Sequence, residues 1–399
     1  MEKERLVIVG GGMAATRFVE EIVARAPGRF AVTVIGEEPR LAYNRVLLSP
    51  VLAGEMSLAD IELKPAGWWR DAGVEFLQGR RVVGVDAARR VVTLDDGRRR
   101  PYGKLVLATG SQALRLDIPN AALDGVHVFR SVADVEALAA LGRGRRVIVV
   151  GGGLLGLEAA YGLARRGAQT TLVHVLDRLM ERQLDADGAA ILRRRVEEKG
   201  VAVRLDASIA RIIGDGHVAA AEFADGARLD ADAVIFAVGV RANADLARTA
   251  GLAVQRGVVV DDTLATSDPH VFAIGECAEH RGVCYGLVEP AYEQARTLAL
   301  RLCGMAASYD GSVVATNLKV SGVRVFSAGD CLGPAALVCR DPRRGVYRKL
   351  VLDGDRLVGA ILIGETAGAA DCLDFIRSGA SVADCRNELA FGEPLQKAA

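Results

Sequence analysis

No cysteine occurs in the first 276 residues of this 399-residue chain, and no C-x-x-C pair occurs anywhere in it. The seven cysteines, Cys277, Cys284, Cys303, Cys331, Cys339, Cys372 and Cys385, are an odd number without paired spacing. That usage suits reduced thiols rather than a disulfide framework. It also argues against an iron–sulfur centre, which needs closely grouped thiolates; Cys331/Cys339 and Cys372/Cys385 are too widely spaced. Lysine is scarce, with seven among fifty basic residues, a bias that carries little function. Fifty acidic residues balance the fifty basic ones, so the formal charge of +0 points to neither nucleic acid nor an anionic membrane as partner. Long uninterrupted apolar runs are also missing. The nearest approach, 147–164, contains five glycines and Glu158 and reads as strand, turn and helix. At the N-terminus, Glu2, Glu4 and a glycine cluster spoil a signal-peptide pattern, so a cytoplasmic location is expected.

What is present is a globular balance, 51% hydrophobic and 25% charged, at a length suited to two or three domains. Two glycine fingerprints, Gly10-Gly11-Gly12-Met13-Ala14-Ala15 and Gly151-Gly152-Gly153-Leu154-Leu155-Gly156, begin 141 residues apart. Leu6–Val9 and Val147–Val150 precede them as strand-forming runs, and a helix-like pattern follows each. A lone G-x-G-x-x-G is weak, because glycine turns are common. Strand, G-x-G-x-x-G/A and helix together lay a pyrophosphate on helix N-terminal amides. Two copies imply two dinucleotides, read as FAD and NAD(P)H with a hydride passing between them.

The rest of the chain orders itself around these turns. Ala31–Ile35 completes a first βαβ unit, Val74–Leu77 and Val82–Val85 read as strands, and Asp95-Asp96-Gly97 reads as a hairpin turn. Lys104–Ala108 reads as a buried strand ending at Thr109-Gly110. In the second unit, Thr170–Val175 and Ala233–Gly239 are expected strands and Ala186–Lys199 a helix. Beyond it, Leu318–Val325, Arg348–Leu352 and Leu357–Ile363 are expected strands, with a helix over Thr366–Ser378. The predicted class is α/β, with two Rossmann-type three-layer domains. The FAD domain takes 1–116 and 241–312, the NAD(P) domain 117–240 is inserted in it, and 313–399 forms a C-terminal α+β domain.

Candidate cofactor residues follow from position. Gly10 allows the tight turn, Gly12 the approach of backbone to pyrophosphate, and Ala15 close helix–strand packing; Met13 and Ala14 open the helix. Gly151, Gly153, Leu154, Leu155 and Gly156 repeat these roles. Glu37 and Glu38 follow the second strand, where a carboxylate meets a ribose; adjacent acids cannot both face it, and Glu38 is favoured. Arg45, beside Tyr43, is a phosphate contact or an ordinary surface arginine. Val82, Ala108, Thr109, Gly110 and Gly239 are further contacts by position in the chain. Gly275 lets backbone approach the cofactor and Glu276 can accept from ribityl hydroxyls. Glu289-Pro290 opens a helix expected from Ala291 to Leu302, with Pro at its first position and amides facing the flavin's pyrimidine ring. Glu158 lies where nicotinamide should stack, or is an ordinary helix acid. His174 stands where an acid usually selects the NADH ribose, and no arginine pair follows for a 2′-phosphate, so coenzyme preference stays open. The missing N-terminal cysteines exclude flavoenzyme chemistry through a thiol beside the flavin.

These motifs together resemble the two-dinucleotide-binding-domain flavoproteins, the FAD/NAD(P) pyridine-nucleotide oxidoreductases. Within them the chain is similar to the flavoprotein part of assimilatory nitrite reductase large subunits and to assimilatory nitrate reductase electron-transfer subunits. The specific residues are Ala42–Ser49, Leu179–Asp185, Gly275–Gly282, Tyr285–Val288 and Thr316–Gly322. By this resemblance Lys319 approaches the flavin pyrimidine edge; on its own it is a surface lysine on a strand. Nitrite reductase large subunits continue into iron–sulfur and sirohaem modules, for which the segment ending at Ala399 offers no ligand set and no metal site. The expectation is therefore a reductase that hands electrons to a separate acceptor protein in nitrate or nitrite assimilation. Ferredoxin- or rubredoxin-type reductases are the first alternative and a nucleotide-dependent redox sensor the second. Neither nucleic acid nor membrane is an expected partner, and the sequence does not set an oligomeric state.

Overall fold

The computed structural model describes residues 3–320 and 323–393. The chain packs as two compact units: Met1–Leu47, Ser57–Gln112 and Val240–Ser312 form one, and Leu48–Met56, Ala113–Gly239 and Val313–Ala399 the other. Residues 313–399 group with the second unit.

In the first unit, five parallel strands run in the order Val271–Ala273, Lys104–Leu107, Glu4–Val9, Phe30–Gly36, Glu75–Gln78. Leu6, Ile8, Val34 and Val106 are fully buried, as expected where helices cover both faces of a parallel sheet. Helix Met13–Arg25 packs against helix Val288–Leu302. A three-stranded antiparallel sheet, Val82–Asp86, Val91–Leu94 and Arg99–Pro101, also belongs to the unit, with the Asp95-Asp96-Gly97 turn between the last two strands.

The second unit repeats the pattern. Its parallel sheet runs Val201–Arg204, Gln169–Val173, Arg146–Val150, Ala233–Phe236, Val126–Val128. Strands Ala315–Val320, Val323–Gly329, Arg356–Ile363, Val346–Asp353 and Ala336–Asp341 form a separate antiparallel sheet, with helices Ala369–Ser378 and Arg386–Phe391.

Several expectations change. The strand expected over 318–325 is two antiparallel strands, with Lys319 opposite Arg324; Ser321-Gly322 lie outside the described residues. Pro290 is the third residue of its helix rather than the first, which begins at Val288. Proline is tolerated there because first-turn amides have no intrahelical acceptor. Strand Gln169–Val173 ends before His174, because its parallel partner stops at Val150, where the chain turns at Gly151. Strand Ala336–Asp341 escapes sequence reading because Leu337 and Val338 are exposed, which obscures the alternation of a half-buried strand.

Candidate functional site

Both fingerprints fold into the same local device. Gly10 adopts φ +110°, and a Cβ there would lie 2.1 Å from the Ala108 carbonyl oxygen. Gly151 adopts φ +121°, and its Cβ would lie 2.3 Å from the Ala237 carbonyl oxygen. Their amides donate to Ile35 O and Val173 O, each at 2.8 Å. Only glycine meets both conditions, a positive φ and backbone contact. Gly12 and Gly153 differ: φ is −93° and −81°, and a Cβ on either would meet nothing within 4 Å. Conformation therefore does not require glycine at these two positions, and open space lies over each. A cradle that a Cβ would fill fits a pyrophosphate. At Gly156 a Cβ would come within 1.9 Å of Gly151 O, the close helix packing that Ala15 accommodates in the first turn.

Helix capping supports the same conclusion. Gly12 and Gly153 are the N-caps of Met13–Arg25 and Leu154–Arg165, with no side-chain cap and no acid in either first turn. Thr16 N and Leu157 N bond back to Gly12 O and Gly153 O, leaving Met13, Ala14, Ala15 and Leu154, Leu155, Gly156 as the amides without an intrahelical acceptor. Two other helices carry side-chain caps: Ser131 forms a capping box with Asp134, and Asp185 accepts from Gly188 N. The helix ends at Gly12 and Gly153, with neither a side-chain cap nor a first-turn acid, are left bare and positive, the arrangement an anion needs.

Around the first turn, Glu38 accepts from the Tyr43 hydroxyl at 2.7 Å and pairs with Arg45, which also donates to Tyr43 Oη at 2.8 Å. Burial works to lower the Arg45 pKa, but Tyr43, Glu38 and Glu276 together raise it. Glu37 is different, its side chain 72% exposed with Arg81 at 3.8 Å. The two acids therefore part, and Glu38 is the one tied into the cluster. Gly275, at φ +78°, donates its amide to buried Gln294 at 2.7 Å, and its Cβ would crowd Ala14 at 3.0 Å. Glu276 accepts from Ser111 Oγ at 2.7 Å. Thr109 and Gly110 are tied to Asn243 by three hydrogen bonds of 2.7–2.9 Å. Gly110 (φ +66°) and Gly239 (φ +116°) hold matching places, each two residues beyond the carbonyl that packs on its turn. Val82, itself buried, begins an antiparallel strand, and Glu289 is exposed in the first turn of its helix; among the described residues no hydrogen bond ties either to this cluster.

In the second unit, Glu158 accepts from Ser49 Oγ. Burial pushes its carboxyl up to about 7, against the opposing effect of that hydrogen bond. His174, at the end of the second strand, is held by the protein itself. Its Nδ1 accepts from Gly152 N at 3.0 Å and its Nε2 lies 3.2 Å from Glu181 Oε2, so both ring nitrogens have protein partners. Ser49 and Glu181 were legible only as members of the motifs Ala42–Ser49 and Leu179–Asp185. The Lys319 side chain lies outside the described residues.

Cys277 is fully buried, its thiol donating to Leu107 O and Ile274 O at 3.4 and 3.3 Å, and burial raises its pKa. Such a thiol is structural rather than reactive. His280 is also buried, bonded to Asp262 at 2.9 Å, with its ring 4.8 Å from that of Tyr309 and tilted by 57°. Among the described residues no group of three or more His, Cys, Asp or Glu could hold a metal, and no helix is long and apolar enough to cross a membrane.

The two glycine turns, each opening a bare helix end beside a parallel sheet, belong to an NAD(P)H-dependent flavoprotein oxidoreductase. Residues 4–297 match the model of the pyridine nucleotide-disulphide oxidoreductases, and residues 315–380 that of the rubredoxin NAD+ reductase C-terminal domain. The chain belongs to the pyridine nucleotide-disulphide oxidoreductase family, whose cofactors here are FAD and NAD(P)H. It is 41% identical over 404 residues to nitrite reductase (NAD(P)H) of Bacillus subtilis, covering 100% of this chain and 50% of that protein. Identity is 39% over 379 residues to the assimilatory nitrate reductase electron transfer subunit of Bacillus subtilis, covering 94% and 49%. The chain thus spans about half the length of these curated relatives. A chain of the covalent putidaredoxin reductase–putidaredoxin complex superimposes with TM-score 0.89 at 27% identity, covering 98% of this chain and 96% of that one.

Proposed function

We propose that this chain takes reducing equivalents from NAD(P)H onto FAD and passes them to a separate redox protein of nitrate or nitrite assimilation. The observation that carries this reading is the pair of bare helix ends, each with open space over its capping glycine. In this reading Met13, Ala14 and Ala15 hold the FAD pyrophosphate. Glu38, Arg45, Thr109, Gly275 and Glu276 line the same cofactor. Leu154, Leu155 and Gly156 hold the NAD(P)H pyrophosphate, and Glu158 orients the nicotinamide. When bound, the flavin supplies hydride acceptance and release of electrons singly. The protein's residues bind and orient; none need act as general acid or base. The cytoplasm is the compartment that fits seven free cysteines.

The names of the two Bacillus subtilis relatives support the nitrogen-assimilation assignment. A ferredoxin- or rubredoxin-type acceptor is the alternative, favoured by the match over residues 315–380. The test is anaerobic titration of the purified protein with NADH or NADPH, followed by mixing with each candidate acceptor. Bleaching of the flavin by nucleotide and rapid reoxidation by a nitrate or nitrite reductase component are expected. Reoxidation only by a small iron–sulfur protein would select the alternative, and absence of multiple turnover would contradict a reductase.

A further inference from the structure

The motif Leu179–Asp185 has no part in the cofactor reading above, yet it folds directly onto the second glycine turn. Gly152 is gripped through both its backbone groups: its carbonyl accepts from Met180 N at 3.0 Å, and its amide donates to His174 Nδ1 at 3.0 Å. Met180 is fully buried and takes a left-handed φ of 51°, which turns the chain so that the next residue, Glu181, meets the imidazole. A backbone amide can only donate, so Nδ1 is the acceptor and the neutral ring carries its proton on Nε2. That proton is directed at Glu181 Oε2, 3.2 Å away. Glu181 is held rather than free, with its side chain 25% exposed.

His174 ends the strand at the position where a carboxylate ordinarily reads an adenosine ribose. The imidazole is not that carboxylate, but it presents one. We propose that Glu181, positioned by His174, accepts the 2′-hydroxyl of the adenosine ribose and repels a 2′-phosphate, making NADH the preferred donor. This rests on the assignment of the second glycine turn to NAD(P)H. Neighbouring arginines do not counter it: Arg178 is paired with Asp177 at 2.9 Å, and the Arg182 Nε faces Glu181 itself at 4.0 Å. A 2′-phosphate would add about two negative charges beside a carboxylate that is already fixed in place.

The experiment is calorimetric titration of the oxidised, flavin-loaded full chain with NAD+ and with NADP+, a binding readout independent of turnover. The native protein should bind NAD+ more tightly. In Glu181→Gln the ratio of the two dissociation constants should shift toward NADP+ by about tenfold or more, the scale of one charge-assisted contact. His174→Ala should shift the ratio the same way, and His174→Gln, whose amide can both accept from Gly152 and donate to Glu181, should restore part of it. A native preference for NADP+, or a ratio unchanged in Glu181→Gln, overturns the inference. Gly153→Val separates this from the parent assignment. If it abolishes binding of both nucleotides while Glu181→Gln is silent, only the role of Glu181 fails. If it binds both as the native protein does, the site itself is misplaced and the inference fails with it.

Discussion

Replacing Gly12 by valine separates cofactor binding from folding in a way the structure makes quantitative. Gly12 sits at φ −93° and ψ −163°, extended backbone that valine readily adopts, and a Cβ there meets nothing within 4 Å. The folded apoprotein should therefore tolerate the change, and loss of glycine freedom in the unfolded chain adds about 0.4–1 kcal/mol of stability. The branched side chain, however, fills the space over the amides of Met13, Ala14 and Ala15. Two amide–phosphate hydrogen bonds at about 1.5–3 kcal/mol each are displaced, weakening FAD binding by roughly 10²–10⁴-fold. Gly10→Ala should behave in the opposite way. Its φ of +110° and the 2.1 Å approach to Ala108 O strain the fold itself, by roughly 3 kcal/mol or more. The assay is flavin content after desalting, with thermal unfolding of each variant compared against native apoprotein, because bound FAD stabilises by mass action. Gly12→Val that keeps full flavin, or that unfolds under conditions where native apoprotein is folded, would refute the assignment of FAD to this turn.

Other outcomes follow from buried groups in the second unit and from the thiols. The Glu158 carboxyl, raised from 4.5 to about 7, favours the native state fully below about pH 4.5, and that contribution is lost as pH rises through 7. Chemical denaturation across this range should show native stability declining by about 2 kcal/mol relative to Glu158→Gln, and parallel curves would be inconsistent with a buried carboxyl. Asp185 accepts from Tyr347 Oη at 2.6 Å and pairs with buried Lys349 at 3.3 Å. Burial raises the Asp185 pKa, but Tyr347, Gly188 and Lys349 hold it below 3.8 overall, so its stabilisation is present above about pH 4 and fades on acidification. Asp185→Ala should cost about 3 kcal/mol at neutral pH, measured by denaturant titration, with the deficit shrinking in acid. Cys277→Ala should leave reduction of ferricyanide by nucleotide intact; its loss would reveal thiol chemistry in the reaction.

Much of this protein is written locally in its sequence. Gly10 and Gly151 must adopt positive φ against a carbonyl, a demand only glycine meets, so the two turns and the parallel sheets around them are legible from residue type and spacing. The buried strands Glu4–Val9 and Arg146–Val150 are equally plain, because hydrophobic runs between such turns have few other uses. What the sequence could not decide were contacts made across folded distance. Ser49 meets Glu158 from 109 positions away. Glu181 reaches His174 only because Met180 turns left-handed and anchors on Gly152. Glu37 and Glu38 are chemically identical neighbours, and only the placement of Tyr43 and Arg45 draws one in and leaves the other in solvent. Local conformation follows from each residue's own steric limits, whereas the partner of a polar side chain depends on where several loops converge.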